Sequence, residues 1–207
     1  MCKEGKRVNK IKDDEREVRK GRIIMKSLNH VNLDSIQAFQ EQAKKEHAKV
    51  KKTQIIEGEW ILENGNCQFQ AALKYEKGET VLKCDSPTFM GGEGTFPGPL
   101  HYCFYGLLSC YTGVFVTICS MMGIELKKVK SKVEGDLNFS KVFGLSDEPV
   151  VEEVRVKLFV ESSAPEEKIK EAERLASERC PAVYTMTHII KFSPQLEILK
   201  SERPSTV

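Results

Sequence analysis

No charged side chain occurs between Glu93 and Glu125, in a chain that is 30% charged overall. An uncharged run of that length has to be covered on most sides, by its own fold, a second chain or a bilayer. By length alone, Leu100–Gly123 is a membrane-span candidate. Its interior argues the other way: Gly106, Ser109, Thr112, Gly113, Thr117, Ser120 and His101 interrupt it, together with tyrosines and three cysteines. Its flanks read as ordinary strands and helices. The run is therefore read as a central core helix, and no membrane contact is expected.

The rest of the chain divides around that helix. Residues 1–52 carry 15 Lys+Arg against 8 Asp+Glu, while the chain as a whole is balanced at +2. The segment 1–32 reads as a basic, mobile leader whose charges are solvated, and no nucleic-acid partner is expected from it. Residues 33–51 form an amphipathic helix, with Leu33, Ile36, Phe39, Ala43 and Val50 near one face. Three strands follow: Gln54–Leu62, a turn at Asn64-Gly65, Cys67–Tyr75, a turn at Glu76-Lys77-Gly78, and Glu79–Cys84. Trp60 reads as a core anchor of the first strand. Asp85–Pro99 is a loop rich in glycine and proline, long enough to shape a site.

Beyond the apolar helix, Lys127–Phe139 and Val150–Glu161 alternate as strands with one charged face. Ser163-Ala-Pro-Glu166 has the spacing of a capping box opening a helix to Glu178, with Ile169, Ala172, Leu175 and Ala176 inward. Cys180-Pro181 restarts a short helix, and Gln195–Lys200 reads as a final strand. Segregated runs of strands and helices place the chain in the α+β class. Residues 52–203 form its main domain.

Seven cysteines remain to be explained. The first twenty residues are charged throughout and lack the apolar core of a secretory signal, so a cytoplasmic location with reduced thiols is expected. No CxxC, HExxH or metal-spaced His/Cys set is present, and no GxGxxG or phosphate-loop pattern, so neither a metal nor a cofactor is expected. Cys110 lies in mid-helix, where burial alone opposes a thiolate. Cys180 precedes a proline at a helix start, a position that favours one.

These residues also occur in a recognisable order. Trp60, Asp85-Ser86-Pro87, Gly91-Gly92 and Pro99-Leu100-His101-Tyr102 lead into Gly106-Leu107-Leu108-Ser109-Cys110. Val133-Glu134-Gly135-Asp136 and Cys180-Pro181 follow. The set resembles the OsmC/Ohr family of osmotically induced and organic-hydroperoxide-resistance proteins over about residues 52–201. The resemblance implies antiparallel-rich sheets wrapped around paired central helices in an intertwined homodimer. It further implies a thiol peroxidase of the oxidative stress response, in which Cys110 attacks an organic hydroperoxide, Cys180 resolves the sulfenate as a disulfide, and a dithiol reduces it. Family peroxidases supply an arginine and a glutamate to the first cysteine. Here no arginine lies between Arg22 and Arg155, and Pro99-Leu100-His101 stands where the glutamate would fall. His101, Lys83 and Lys74 are the candidate substitutes. The alternative is an OsmC-fold protein without efficient peroxidase activity, acting in other thiol or persulfide chemistry or in small-molecule binding.

Overall fold

The computed structural model describes residues 27–199, preceded by the backbone of two short paired strands, β1 (Glu17–Arg19) and β2 (Arg22–Ile24). Residues 27–32, which the sequence assigns to the leader, are instead anchored. They form a hairpin of β3 (Ser27–Leu28) and β4 (Val31–Asn32), turned by Asn29 and His30 in the left-handed region at φ 52° and 65°. Asparagine tolerates that conformation because its short polar side chain can bond locally. Asn29 Nδ2 donates to Ser120 Oγ at 3.0 Å and to the Ile124 carbonyl at 2.8 Å, while its Oδ1 accepts from the Leu126 amide at 2.8 Å. Leu28 is buried behind it.

Asn32 caps α1 (Leu33–Lys45), its Oδ1 accepting from the Ser35 amide at 3.0 Å. The helix stops at Glu46, and a single 3₁₀ turn continues to Val50. Strands β5 (Glu57–Trp60), β6 (Phe69–Tyr75) and β7 (Gly78–Cys84) make an antiparallel meander with the expected turns. Trp60 is not a core anchor. It is 56% exposed, and Phe69, its cross-strand partner on the same face, is also open, because among the described residues that face borders a cleft and not a packed core.

The uncharged run forms α2 (Pro99–Met121). It has the length and composition of a membrane span, yet Leu107, Tyr111, Phe115, Ile118, Cys119 and Ser120 are buried against other elements of the protein. Behind it, β8 (Leu126–Leu137) and β9 (Val151–Ser162) pair antiparallel over their whole length. Val129, Val156, Leu158 and Val160 turn toward the core. Helix and ribbon come close at Gly135, where an added Cβ would stand 2.4 Å from the Phe104 ring. A glycine is needed there to let the aromatic ring onto the strand.

Helix α3 (Glu166–Arg179) lies on α2 through Ala172 and Ala176, both fully buried, with Ile169 and Leu175 beside them. Small side chains on this face let the two helices approach closely. The predicted capping box does not form. Pro165 occupies the N-cap without a side-chain bond, while Ser162 Oγ accepts from the Ala164 amide at 3.1 Å. Cys180 ends α3 and is also the N-cap of α4 (Pro181–Thr187). The expected strand at Gln195–Lys200 is absent among the described residues: 189–199 have no regular structure, and Leu196, Ile198 and Leu199 are exposed. Its alternation pairs with no strand edge among the described residues.

Candidate thiol site

Cys110 and Cys180 lie seventy positions apart in sequence and meet where α2 is crossed by the α3–α4 corner. Their sulfurs stand 3.6 Å apart, in hydrogen-bond contact. Neither is oxidised. A disulfide needs the sulfurs at about 2.05 Å, so a closure of roughly 1.5 Å would join them. Cys180 is 1% exposed, whereas Cys110 is only half buried and is the more accessible sulfur. Burial pushes the Cys110 thiol above its ordinary value, and the backbone N–H of Ala182 opposes that rise by donating to the sulfur. Pro181 explains why that donor is available: it starts the helix without an N–H of its own and leaves the next amide unused by the helix.

The three proposed activating groups lie elsewhere in the chain. His101 caps the start of α2, its Nδ1 accepting from the Gly98 amide at 3.2 Å. It precedes Cys110 by nine helical positions, about 13.5 Å along the axis. Lys83 holds its ammonium 5.6 Å above the Phe96 ring. Lys74 sits at the exposed end of β6, paired with Glu79 across the hairpin. The groups that act on Cys110 are Cys180 and the Ala182 amide. Cys67 and Cys119 are buried packing residues, and burial drives the Cys119 thiol to about 11. Cys84 is half buried and Cys103 exposed.

One cluster beside the thiols was not foreseen. Tyr111, next to Cys110, donates its hydroxyl to Glu173 Oε1, and Ser177 Oγ joins both, 3.1 Å from the tyrosine oxygen and 3.2 Å from the carboxylate. Burial and the neighbouring carboxylate push the Tyr111 hydroxyl up to about 12, so it remains a donor throughout the neutral range. The signal lay in α3: Glu173, Ser177 and Cys180 recur at i, i+4 and i+7, next to the inward Ala172–Ala176 stripe.

The glycine-rich loop before α2 is organised by Asp85, which is 1% exposed. Its Oδ2 accepts from the Thr95 amide and hydroxyl, both at 2.9 Å, and from the Glu93 amide at 3.2 Å. The Thr95 amide contributes most to holding this carboxyl below its usual range. A lowered folded-state value stabilises the protein above the unfolded pKa of about 3.9, and that contribution disappears as pH falls through the folded value. Asp85→Asn should therefore be less stable than the parent at pH 6, with the gap closing below about pH 4. Urea midpoints across that range test this, and a gap independent of pH would contradict it.

The comparisons agree with this architecture. The sequence model of the OsmC-like proteins matches residues 92–195, and the chain belongs to that family. A solved structure from Psychrobacter arcticus 273-4, assigned to osmotic stress induction and the detoxification response, is 16% identical. It aligns with a TM-score of 0.50 over 65% of this chain and 89% of its own. The OsmC-like protein of Mycoplasma pneumoniae is 20% identical over 67% of this chain and 90% of its own, with a TM-score of 0.49. An organic hydroperoxide resistance protein OsmC from Legionella pneumophila is 17% identical over 66% and 92%, with a TM-score of 0.47. No curated protein matches the chain. Family and fold are thus established as OsmC-like, a mixed helix and antiparallel-sheet architecture.

Proposed function

We propose that this protein is a thiol-dependent reductant of organic hydroperoxides, working as a cytoplasmic homodimer with Cys110 as the attacking thiol and Cys180 as the resolving one. The observation that carries the reading is the 3.6 Å separation of the two sulfurs. The Cys110 thiolate attacks the outer peroxide oxygen, the O–O bond breaks, and the alkoxide leaves as the alcohol after taking a proton. Cys110 is then a sulfenic acid. The Cys180 sulfur attacks it, water leaves, and the Cys110–Cys180 disulfide forms. Two electrons and two protons from an external dithiol restore both thiols. Cys110 suits the first step because it is the more accessible of the two and receives the Ala182 N–H.

A second chain is supported by the faces this one leaves open. Tyr105 on α2 is 71% exposed, and a shallow cleft of about 540 Å³ runs past Ser109 and Gly113. Both belong to the otherwise uncharged helix. A second functional reading, thiol or persulfide chemistry or small-molecule binding without efficient peroxide turnover, is favoured by one observation. Burial raises the Cys110 pKa, and among the described residues no Lys, Arg or His is one of the groups that act on it. One experiment separates the two. Reduced protein is treated with one equivalent of cumene hydroperoxide and peptide-mapped by mass spectrometry. A Cys110–Cys180 disulfide together with one equivalent of alcohol is expected. Unoxidised thiols with intact hydroperoxide would overturn the peroxidase reading.

A further inference from the structure

Asp85, one residue past β7, is 1% exposed, yet no lysine, arginine or histidine acts on it among the described residues. Charges buried this deeply are normally paired or bound to a metal ion. Its hydrogen bonds all fall on one oxygen: Oδ2 takes the Thr95 amide and hydroxyl and the Glu93 amide. Oδ1 is buried and has no partner among the described residues. The Ser86 amide lies beside the carboxyl but is spent on Gln68 Oε1 at 3.0 Å. Gln68 Nε2 in turn donates to the Gly91 carbonyl at 3.1 Å. A buried acceptor left bare is costly, and a charged one more so.

Asp85 lines a cavity of about 190 Å³ between the β5–β6 turn and the glycine-rich loop. Oδ1 faces Gly92, another lining residue, where an added Cβ would stand 2.7 Å from it and 2.0 Å from the Ser86 carbonyl oxygen. Only a glycine leaves the space in front of Oδ1 open. The volume is below the roughly 300–1,000 Å³ of organic-ligand pockets, but ample for an ion with several waters of about 30 Å³ each. Glu63, Asn64, Asn66 and Glu93 also line it, while no lysine, arginine, histidine or cysteine does. Among the described residues no three His, Cys, Asp or Glu groups make a ready-made metal cluster. Oxygen donors from carboxylates, amides and carbonyls, held at flexible geometry, suit a hard cation instead.

We propose that this cavity binds a divalent cation of the calcium type, anchored on Asp85 Oδ1 and completed by Glu63, Glu93 and the asparagine amide oxygens of the β5–β6 turn. Its ligands are oxygens alone, a set that His/Cys spacing does not reveal. Asp85 is the fixed ligand, and the two glutamates are exposed and come from different loops. Affinity is therefore modest, roughly 0.1–1 mM. The bound ion ties the β5–β6 turn to the loop that leads into α2. The site is separate from the thiol pair and does not rest on the peroxidase reading.

Trp60, the single tryptophan of the chain, lines the same cavity and provides a local readout. Terbium(III) is titrated into chelator-treated full-length protein with selective excitation of the tryptophan, and calcium chloride is then added. Saturable terbium emission that calcium reverses is expected. Magnesium, which demands near-ideal octahedral geometry, should reverse it less well. Asp85→Asn should weaken terbium binding at least about tenfold, since loss of even an outer-shell partner of a metal costs about 10–100-fold. That change also touches the hydrogen bonds of the loop, so Glu63→Gln and Glu93→Gln are measured beside it, with circular dichroism reporting the fold. Each should weaken binding several-fold without altering the spectrum. Absence of sensitised emission, or emission that calcium cannot displace, would overturn the proposal. So would affinity unmoved in a folded Asp85→Asn variant or, should that variant not fold, affinity unmoved in both glutamine variants.

Discussion

Cys110→Ser should abolish consumption of organic hydroperoxide, a loss of roughly three orders of magnitude or more for removal of a nucleophile, whereas Cys180→Ser should still reduce one equivalent. The asymmetry follows from position. Cys180 is sealed at 1% exposure and a peroxide cannot reach it without opening the α3–α4 corner. Without Cys180, oxidised Cys110 has no partner sulfur at 3.6 Å and stops as a sulfenic acid, which a dimedone-type probe would trap. Because burial raises the Cys110 pKa, the reactive thiolate is a minor species at neutral pH. Its share climbs about tenfold per pH unit until the raised value is reached, and the first-step rate should climb with it up to at least about pH 9. Stopped-flow measurement of both single variants decides the assignment. Equal single-turnover capacity in Cys110→Ser and Cys180→Ser would refute the division of roles.

Phe115→Ala has the largest expected effect on stability, a loss of about 3–5 kcal/mol. The ring is fully buried at the centre of a cluster with Tyr111, Ile118, Cys119, Ile124, Ala172, Ala176 and Cys180. The fully buried α3 members of that cluster are alanines, which are too short to fill the space left behind. The backbone of α2 cannot collapse inward either, since Asn29 bonds to Ser120, Ile124 and Leu126 at its far end. Phe115→Leu should recover more than half of the loss by restoring volume. Urea unfolding at fixed protein concentration measures both, the concentration being held because association shifts apparent stability. A cost below about 1 kcal/mol for the alanine variant would mean that the cluster is not the organising core.

Much of the fold could be read from the sequence because its signals are local. Strand alternation marked β8 and β9, the Asn64-Gly65 and Lys77-Gly78 turns separated the meander, and Cys180-Pro181 located the start of α4. Errors came where tertiary context overrode a local pattern. Leu196 and Ile198 alternate like a strand, but a strand also needs an edge to pair with. Trp60 has the bulk of a core residue, but no surface that would bury it is supplied among the described residues. Ser163 has capping-box spacing, yet Pro165 fixes the backbone so that Ser162 makes the local bond instead.

The thiol pair was legible only through family resemblance, since nothing in the spacing of residues 110 and 180 brings them together. The Tyr111–Glu173–Ser177 cluster was hidden for a related reason. A glutamate among alanines on α3 reads as a solvated charge until the tyrosine of another helix is known to face it. The activating role suggested for His101, Lys83 and Lys74 rested on residue type alone, and within the chain each is engaged or placed elsewhere.

Cys180 belongs to two helices at once, closing one and opening the next. A sulfur in the middle of a helix can be drawn sideways only by rotating its own side chain. At an elbow, the same pull also acts on the angle between two rods. The pull that joins the sulfurs is thereby geared to the tilt of α4, whose outer end carries the stacked rings of Tyr184 and His188 on the surface. A bond between the half-buried Cys110 and the buried Cys180 would in this way put a load on an element that reaches the surface.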